Sequence, residues 1–207
     1  MFYRFLLLLT VFNLYKITAF AQISYDHYTV NDGLPSQTVY YALQDKQGFL
    51  WLSTDAGVSR FDGKKFTNFT TEDGLAEDEI LSMYEDKKGR IWFFPFSKKI
   101  SYYYNGKFHS EKNDPMVKQL PDQYLGYTFS FAEDVIGNIY IPSVKREVIK
   151  VDRQNKITRY RIPWDISCIY PSIDRTRIFC VTSATLTKVG ELFELSSSGS
   201  LKKIPDA

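Results

Sequence analysis

The chain has 207 residues, 44% of them apolar and 16% aromatic, which suits one ordinary core and favours strands over helices. The formal net charge is only +2, and Arg4 and Lys16 lie in an opening stretch without acids, so the rest is balanced and lacks the basic patch that nucleic-acid binding requires. With two histidines and two cysteines, no metal-ligand spacing exists, and no catalytic residue, metal or cofactor is expected.

Residues 1–21 carry the pattern of an export signal. Arg4 leads, Phe5 to Phe12 is an apolar block, and Ala19-Phe20-Ala21 supplies the small residues that a signal peptidase needs. Asn13 and Lys16 interrupt the run before it reaches bilayer length. The expected mature start is Gln22, the expected location is periplasmic or secreted, and no span is expected after cleavage.

A strand is expected over 24–30. After it come Asp32-Gly33-Leu34, a strand over Val39 to Gln44, the turn Asp45 to Gly48 and a strand from Phe49 carrying Trp51. Asp62-Gly63-Lys64 then closes a second hairpin between Val58–Phe61 and Phe66–Phe69, Asp-Gly being a strong hairpin signal. A shift of 41 residues lays Asp32, Gly33, Leu34, Asp45, Gly48 and Trp51 onto Asp73, Gly74, Leu75, Asp86, Gly89 and Trp92. Weaker copies place Asp134, Gly137 and Tyr140, then Asp174 and Cys180, in the same positions, with spacings of 41, 48 and 40 residues between successive aspartates. Four strands per forty-odd residues is the arithmetic of a β-propeller blade. The predicted fold is all-β, with blades as four-stranded antiparallel meanders over about 36–71, 77–112, 126–162 and 166–205.

The stretch "DGLPSQTVYYALQDKQGFLWLSTDAGVSRFDG" resembles the two-component regulator propeller repeat of the periplasmic sensor regions of bacterial hybrid histidine kinases. The second copy keeps Asp-Gly-Leu and the Trp hairpin but replaces Thr-Asp-x-Gly-Val with Pro95 to Lys99. The resemblance implies a non-catalytic sensor propeller of a two-component system that takes a ligand, plausibly a saccharide. No phosphoacceptor histidine region or ATP-binding glycine motif accompanies it. The alternatives are a propeller lyase or hydrolase, because similar blades occur in antibiotic-inactivating lyases, and a scaffold that pairs through exposed edges, with a signalling partner or with itself. Strand counting predicts an incomplete part of a larger propeller, because 24–30 corresponds to the outer strand of a blade and the fourth copy already has four strands.

Most motif residues have structural expectations. Gly33, Leu34, Gly48, Trp51, Gly74, Leu75, Gly89 and Trp92 are read as turn and packing residues. Tyr102-Tyr103-Tyr104 is read as packing plus an exposed ring, His27 and His109 as exposed imidazoles, and Cys168 and Cys180 as either a cross-hairpin disulfide or buried thiols. Ligand-binding candidates lie on the rim shared by the crossover and the turn between strands two and three: Asp32, Ser36, Gln37, Asp55, Asp78 and Tyr124. The longest loop, Asn113 to Gly126, is expected on that rim too, since loops on a rigid scaffold are where binding usually resides.

Overall fold

The computed structural model describes residues 25–97, 100–121, 131–182, 190–196 and 198–205. They form four antiparallel sheets of four strands each, every sheet a meander in chain order. Blade 1 is β1 (Val39–Gln44), β2 (Leu50–Thr54), β3 (Gly57–Phe61) and β4 (Phe66–Phe69). Blade 2 is β5 (Ile80–Glu85), β6 (Ile91–Pro95), β7 (Ser101–Tyr104) and β8 (Lys107–His109). Blade 3 is β9 (Ala132–Glu133), β10 (Ile139–Ser143), β11 (Glu147–Val151) and β12 (Ile157–Arg161). Blade 4 is β13 (Ile166–Pro171), β14 (Ile178–Thr182), β15 (Leu192–Leu195) and β16 (Leu201–Lys203). One short helix, α1 (Pro115–Lys118), stands between blades 2 and 3.

Because successive side chains on a strand point to opposite faces, each blade has two packing surfaces. The face towards the next blade, here the trailing face, carries Trp51 and Val58 in blade 1. These meet Ile91, Phe93 and Phe108 on the leading face of blade 2. Trp92 and Tyr102 in turn meet Ile139, Ile141 and Ile149 of blade 3. Tyr140 and Val148 meet Ile169, Ile178 and Cys180 of blade 4. The cores therefore lie between sheets rather than within one, so no blade covers its own apolar faces.

Two glycine sites show why the repeat is written as it is. A Cβ on Gly57, at φ 108°, would fall 2.4 Å from the Phe69 carbonyl oxygen, so no side chain fits. Gly33 and Gly74 close two matching 3-10 turns in the left-handed region, φ 106° and 109°. Thr29 with Asp32, and Thr70 with Asp73, form a capping box at the head of each turn.

Two expectations need correction. Residues 25–29 run without strand pairing, where a strand over 24–30 was expected. No described strand lies beside them to supply partners, since the fourth sheet ends in its own β16. In blade 4 the aspartate and indole positions fall to Ser172 and Phe179, not to Asp174 and Cys180. The hairpin is one residue longer there, closing from the Ser172 amide to the Arg177 carbonyl at 2.8 Å, where Asp45 closes on Phe49 and Asp86 on Arg90. Of the two alternatives for the cysteines, the free thiols hold, with Cys180 buried and Cys168 partly so. Cys168 pairs with Val181 and Cys180 with Ile169, which puts the two side chains on opposite faces of the sheet.

Candidate functional site

The blades are held in register by polar groups on the side of the Asp45 turn. Asp45 Oδ1 accepts the amides of Gln47 and Phe49, both at 2.9 Å, while its Oδ2 accepts Trp51 Nε1 at 2.8 Å. Asp86 repeats this with the Arg90 amide at 2.9 Å and Trp92 Nε1 at 2.8 Å, and adds the Arg90 guanidinium at 2.6 Å. Asp134 accepts the Asn138 amide at 2.8 Å and the Tyr140 hydroxyl at 3.2 Å. One carboxylate thus ties each turn and satisfies the polar end of the ring packed between blades, which buried Trp and Tyr require.

The following lysine links neighbouring blades. The Lys46 amide donates to Glu85 at 2.9 Å and its Nζ to the Asp86 carbonyl at 2.6 Å. The Lys87 amide donates to Glu133 at 2.8 Å and its Nζ to the Asp134 carbonyl at 3.0 Å. Glu133 is nearly fully buried and also accepts from Tyr84 at 3.1 Å and Arg175 at 3.3 Å. Burial, with that carboxylate beside it, pushes the Tyr84 phenol up to about 12. Arg175, in the left-handed region at φ 57°, also offers its carbonyl to the Val135 amide at 2.7 Å, so one residue of blade 4 touches blades 2 and 3. Between blades 1 and 2 this side opens into a cleft of about 250 Å3 that Trp51, Arg60 and Tyr103 help to line. Arg60 lies over the Phe49 ring at 4.7 Å and donates to the Tyr103 hydroxyl at 3.3 Å.

The opposite rim gathers the turn between β2 and β3, the segment before β5 and the end of β6. The Gly57 amide donates to the Asp78 carbonyl at 2.8 Å, and the Phe96 amide to the Glu79 carbonyl at 3.1 Å. Tyr40, on the innermost strand of blade 1, donates its hydroxyl to Glu79 at 3.0 Å. Glu79, accepting that hydroxyl, and the nearby Asp55 raise the Tyr40 phenol above its ordinary value. Tyr40 and Phe96 are exposed, at 41% and 51%, so an aromatic and carboxylate surface faces solvent there.

The sequence candidates fall unevenly on this rim. Asp55 is exposed near Tyr40. Asp78 holds the Thr71 amide at 2.7 Å, and Asp32 holds the Thr29 amide at 2.7 Å, so both carboxylates serve turns. Hydrogen bonds from Thr29, amide first, keep the Asp32 carboxyl below its ordinary value. Ser36 caps the Thr38 amide at 3.0 Å, Gln37 is exposed, and Tyr124 lies outside the described residues. Tyr40, Glu79 and Phe96 were missed by sequence reasoning. A Tyr and a Glu 39 residues apart give no local signal, although the repeat register places the two just ahead of or within equivalent first strands.

His27 is exposed, whereas His109 stacks on Tyr102 at 4.5 Å with Nδ1 3.3 Å from Asp114. Tyr102 itself is buried and donates to Asp114 at 2.5 Å. Neither imidazole belongs to the rim cluster around Tyr40. Among the described residues, no group of three or more His, Cys, Asp or Glu side chains could hold a metal ion, and no helix is long and apolar enough to cross a membrane.

Residues 33–56 and 74–94 match the two component regulator propeller model. The chain matches no curated protein in sequence. Among solved structures, virginiamycin B lyase from Staphylococcus aureus is similar at 16% identity and a TM-score of 0.58, over 80% of this chain and 55% of the lyase. The extracellular domain of a protein of B. thetaiotaomicron, named as a hybrid two component system, is similar at 16% identity and a TM-score of 0.58, over 82% of this chain and 22% of that one. The chain thus spans about half of the lyase and about a fifth of the extracellular domain, and at these identities the likeness is one of fold. The four sheets are propeller blades, and the two segments that match the two component regulator propeller model fall in the first two.

Proposed function

We propose that this chain is a non-catalytic sensor propeller acting outside the cytoplasm, which binds a saccharide at the rim around Tyr40. The observation that carries this reading is the pair of matched sensor repeats together with the exposed Tyr40–Glu79 pair and Phe96 on their shared rim. Sugar rings stack their C–H faces on aromatic rings, and carboxylates accept from vicinal hydroxyls. Tyr40 and Phe96 offer the first kind of surface, Asp55 and Glu79 the second. A lyase or hydrolase reading is supported by fold likeness alone, and the one described histidine beside an acid, His109 at 3.3 Å from Asp114, lies apart from the Tyr40 cluster.

Isothermal titration of the chain from Gln22 against a panel of neutral and acidic oligosaccharides tests the proposal. The expected result is saturable binding by at least one of them, weakened about fivefold by Tyr40→Ala, since removing one stacked ring costs about 1 kcal/mol. A folded chain that binds none of the panel would sink the saccharide reading.

A further inference from the structure

The cleft between blades 1 and 2, on the side of the Asp45 turn, holds a cation that no acid neutralises. Arg60 stands opposite Trp51 on the trailing face of blade 1. Its guanidinium lies over the rings of Phe49 at 4.7 Å, Trp51 at 5.7 Å and Phe69 at 5.8 Å, and Nη1 donates to the Tyr103 hydroxyl of blade 2 at 3.3 Å. Three rings thus fix the charge in place through its attraction to their faces. Two other arginines between blades have carboxylates, Arg90 in Asp86 at 2.6 Å and Arg175 in Glu133 at 3.3 Å. Arg60 has none within ion-pair distance among the described residues. The acids that share its cleft are already engaged. Asp45 takes the Gln47 and Phe49 amides and Trp51 Nε1, and Glu85 takes the Lys46 amide and faces its ammonium at 3.7 Å. A guanidinium carries several N–H donors, and only the one to Tyr103 finds an acceptor among the described residues. The Tyr103 hydroxyl is the acceptor in that bond, so its own hydrogen remains to be given.

We propose that this cleft binds a small monocarboxylate, with its anionic end on the Arg60 guanidinium and the Tyr103 hydroxyl and its apolar body between the blades. A planar guanidinium matches a carboxylate in shape as well as charge. Trp51, Ile91 and Tyr104 supply apolar wall for the body. The cleft, at about 250 Å3, is smaller than the roughly 300 Å3 at which drug-sized pockets begin, which limits the body to a single ring or a short chain. Charge narrows the class further. Asp45 and Glu85 share the lining with Arg60 and Lys88, so one added negative charge is tolerated better than the two of a phosphate or sulfate. Blade 2 shows how such a site is filled from within. There the residue opposite Trp92 is Tyr102, and the guanidinium over the indole at 4.8 Å is that of Arg90, already bound to Asp86. The proposal is independent of the saccharide reading, whose rim lies on the opposite side of the blades.

The indole N–H signals of an NMR titration test this, because Trp51 Nε1 lies at the cleft on Asp45 and Trp92 Nε1 lies on Asp86 as an internal control. The full chain is titrated with benzoate, with its neutral isostere benzamide, and with inorganic phosphate. Benzoate should shift the Trp51 signal saturably and leave that of Trp92 in place. Benzamide should bind about tenfold more weakly or worse, since hydrogen bonds between charged partners are the strong ones. Arg60→Met keeps an unbranched side chain against the rings without the charge and should weaken benzoate about tenfold or more, and Tyr103→Phe about threefold. An unchanged Trp92 signal in each variant shows that the blades are intact. Benzamide binding as tightly as benzoate overturns the proposal on the wild type alone, and so does phosphate binding as tightly. Benzoate affinity that survives Arg60→Met, a shift shared equally by Trp92, or no shift of Trp51 overturns it as well.

Discussion

Blades 1 and 2 are written with the same opening, the same turn and the same tryptophan, yet their first strands live in different surroundings. All but one of the β1 residues are exposed, whereas in β5 Ile80, Ser82 and Met83 are buried. Part of the difference comes from what stands in front of each blade, because blade 2 leans on Trp51 and Val58 while, among the described residues, blade 1 has Tyr28 and the Gly33 turn against its leading face. The cationic side chain differs too. Blade 1 puts Arg60 across from Trp51 on the neighbouring strand, and blade 2 puts Arg90 two residues before Trp92, where the guanidinium lies over the indole at 4.8 Å and on Asp86. A repeat motif thus sets the internal wiring of a blade, and its neighbours set how much that wiring is worth.

The largest effect is expected where the wiring is buried. Asp86→Ala strands the Arg90 charge at 3% exposure and should cost about 3–5 kcal/mol in a denaturation series. Asp45→Ala, whose carboxylate has no arginine partner, should cost clearly less, and equal losses would break the comparison. Next comes the leucine of the Asp-Gly-Leu turn. Leu75→Ala should cost about 2–5 kcal/mol, because the side chain is fully enclosed between blades. Leu34→Ala should cost less, since its surroundings are open on one side, and parity would mean that the leading face of blade 1 is covered in solution. Trp51→Phe keeps most of the ring but leaves Asp45 Oδ2 without its donor, an expected loss of about 1–3 kcal/mol, readable as a lowered midpoint.

The smallest effect is electrostatic and lies in the turn that departs from the repeat. Asp174 accepts from Ser172, at 2.5 Å, and from Thr176, and these bonds lower its carboxyl from an ordinary 3.8 to about 2. Since the folded value lies below the unfolded one, the contribution is fully present above pH 4 or so and fades as pH falls towards 2. Asp174 is open to solvent, so the change should be slight. An NMR titration of its carboxyl should give a midpoint well below 3.8 in the wild type and a higher one, still below 3.8, in Ser172→Ala, where the Thr176 bonds remain.

The two well-written blades were legible because turn glycines, alternation and the Asp-to-Trp spacing agree at every level. Blade 4 was out of register because its first hairpin gains a residue and Phe179, which has no ring N–H, removes the reason to keep an aspartate at Ser172. The inter-blade clamps were not legible. Glu85 and Glu133 sit immediately before Asp86 and Asp134, so an adjacent acidic pair was visible, but their partners lie 39 and 46 residues away. The rim surface of Tyr40, Glu79 and Phe96 escaped for the same reason, because only the sheet packing brings them together.

Arg175 carries a consequence for how the molecule comes apart. Contacts inside a blade join residues close in the chain and form quickly, whereas the reach from Arg175 to Tyr84 closes a loop of 91 residues. Until blade 4 is in place, the nearly buried carboxylate of Glu133 lacks its only cationic side-chain partner among the described residues. The third blade is therefore least satisfied electrostatically when it stands at the growing end of the array, and a bolt thrown from the fourth blade ties the second and third blades to it.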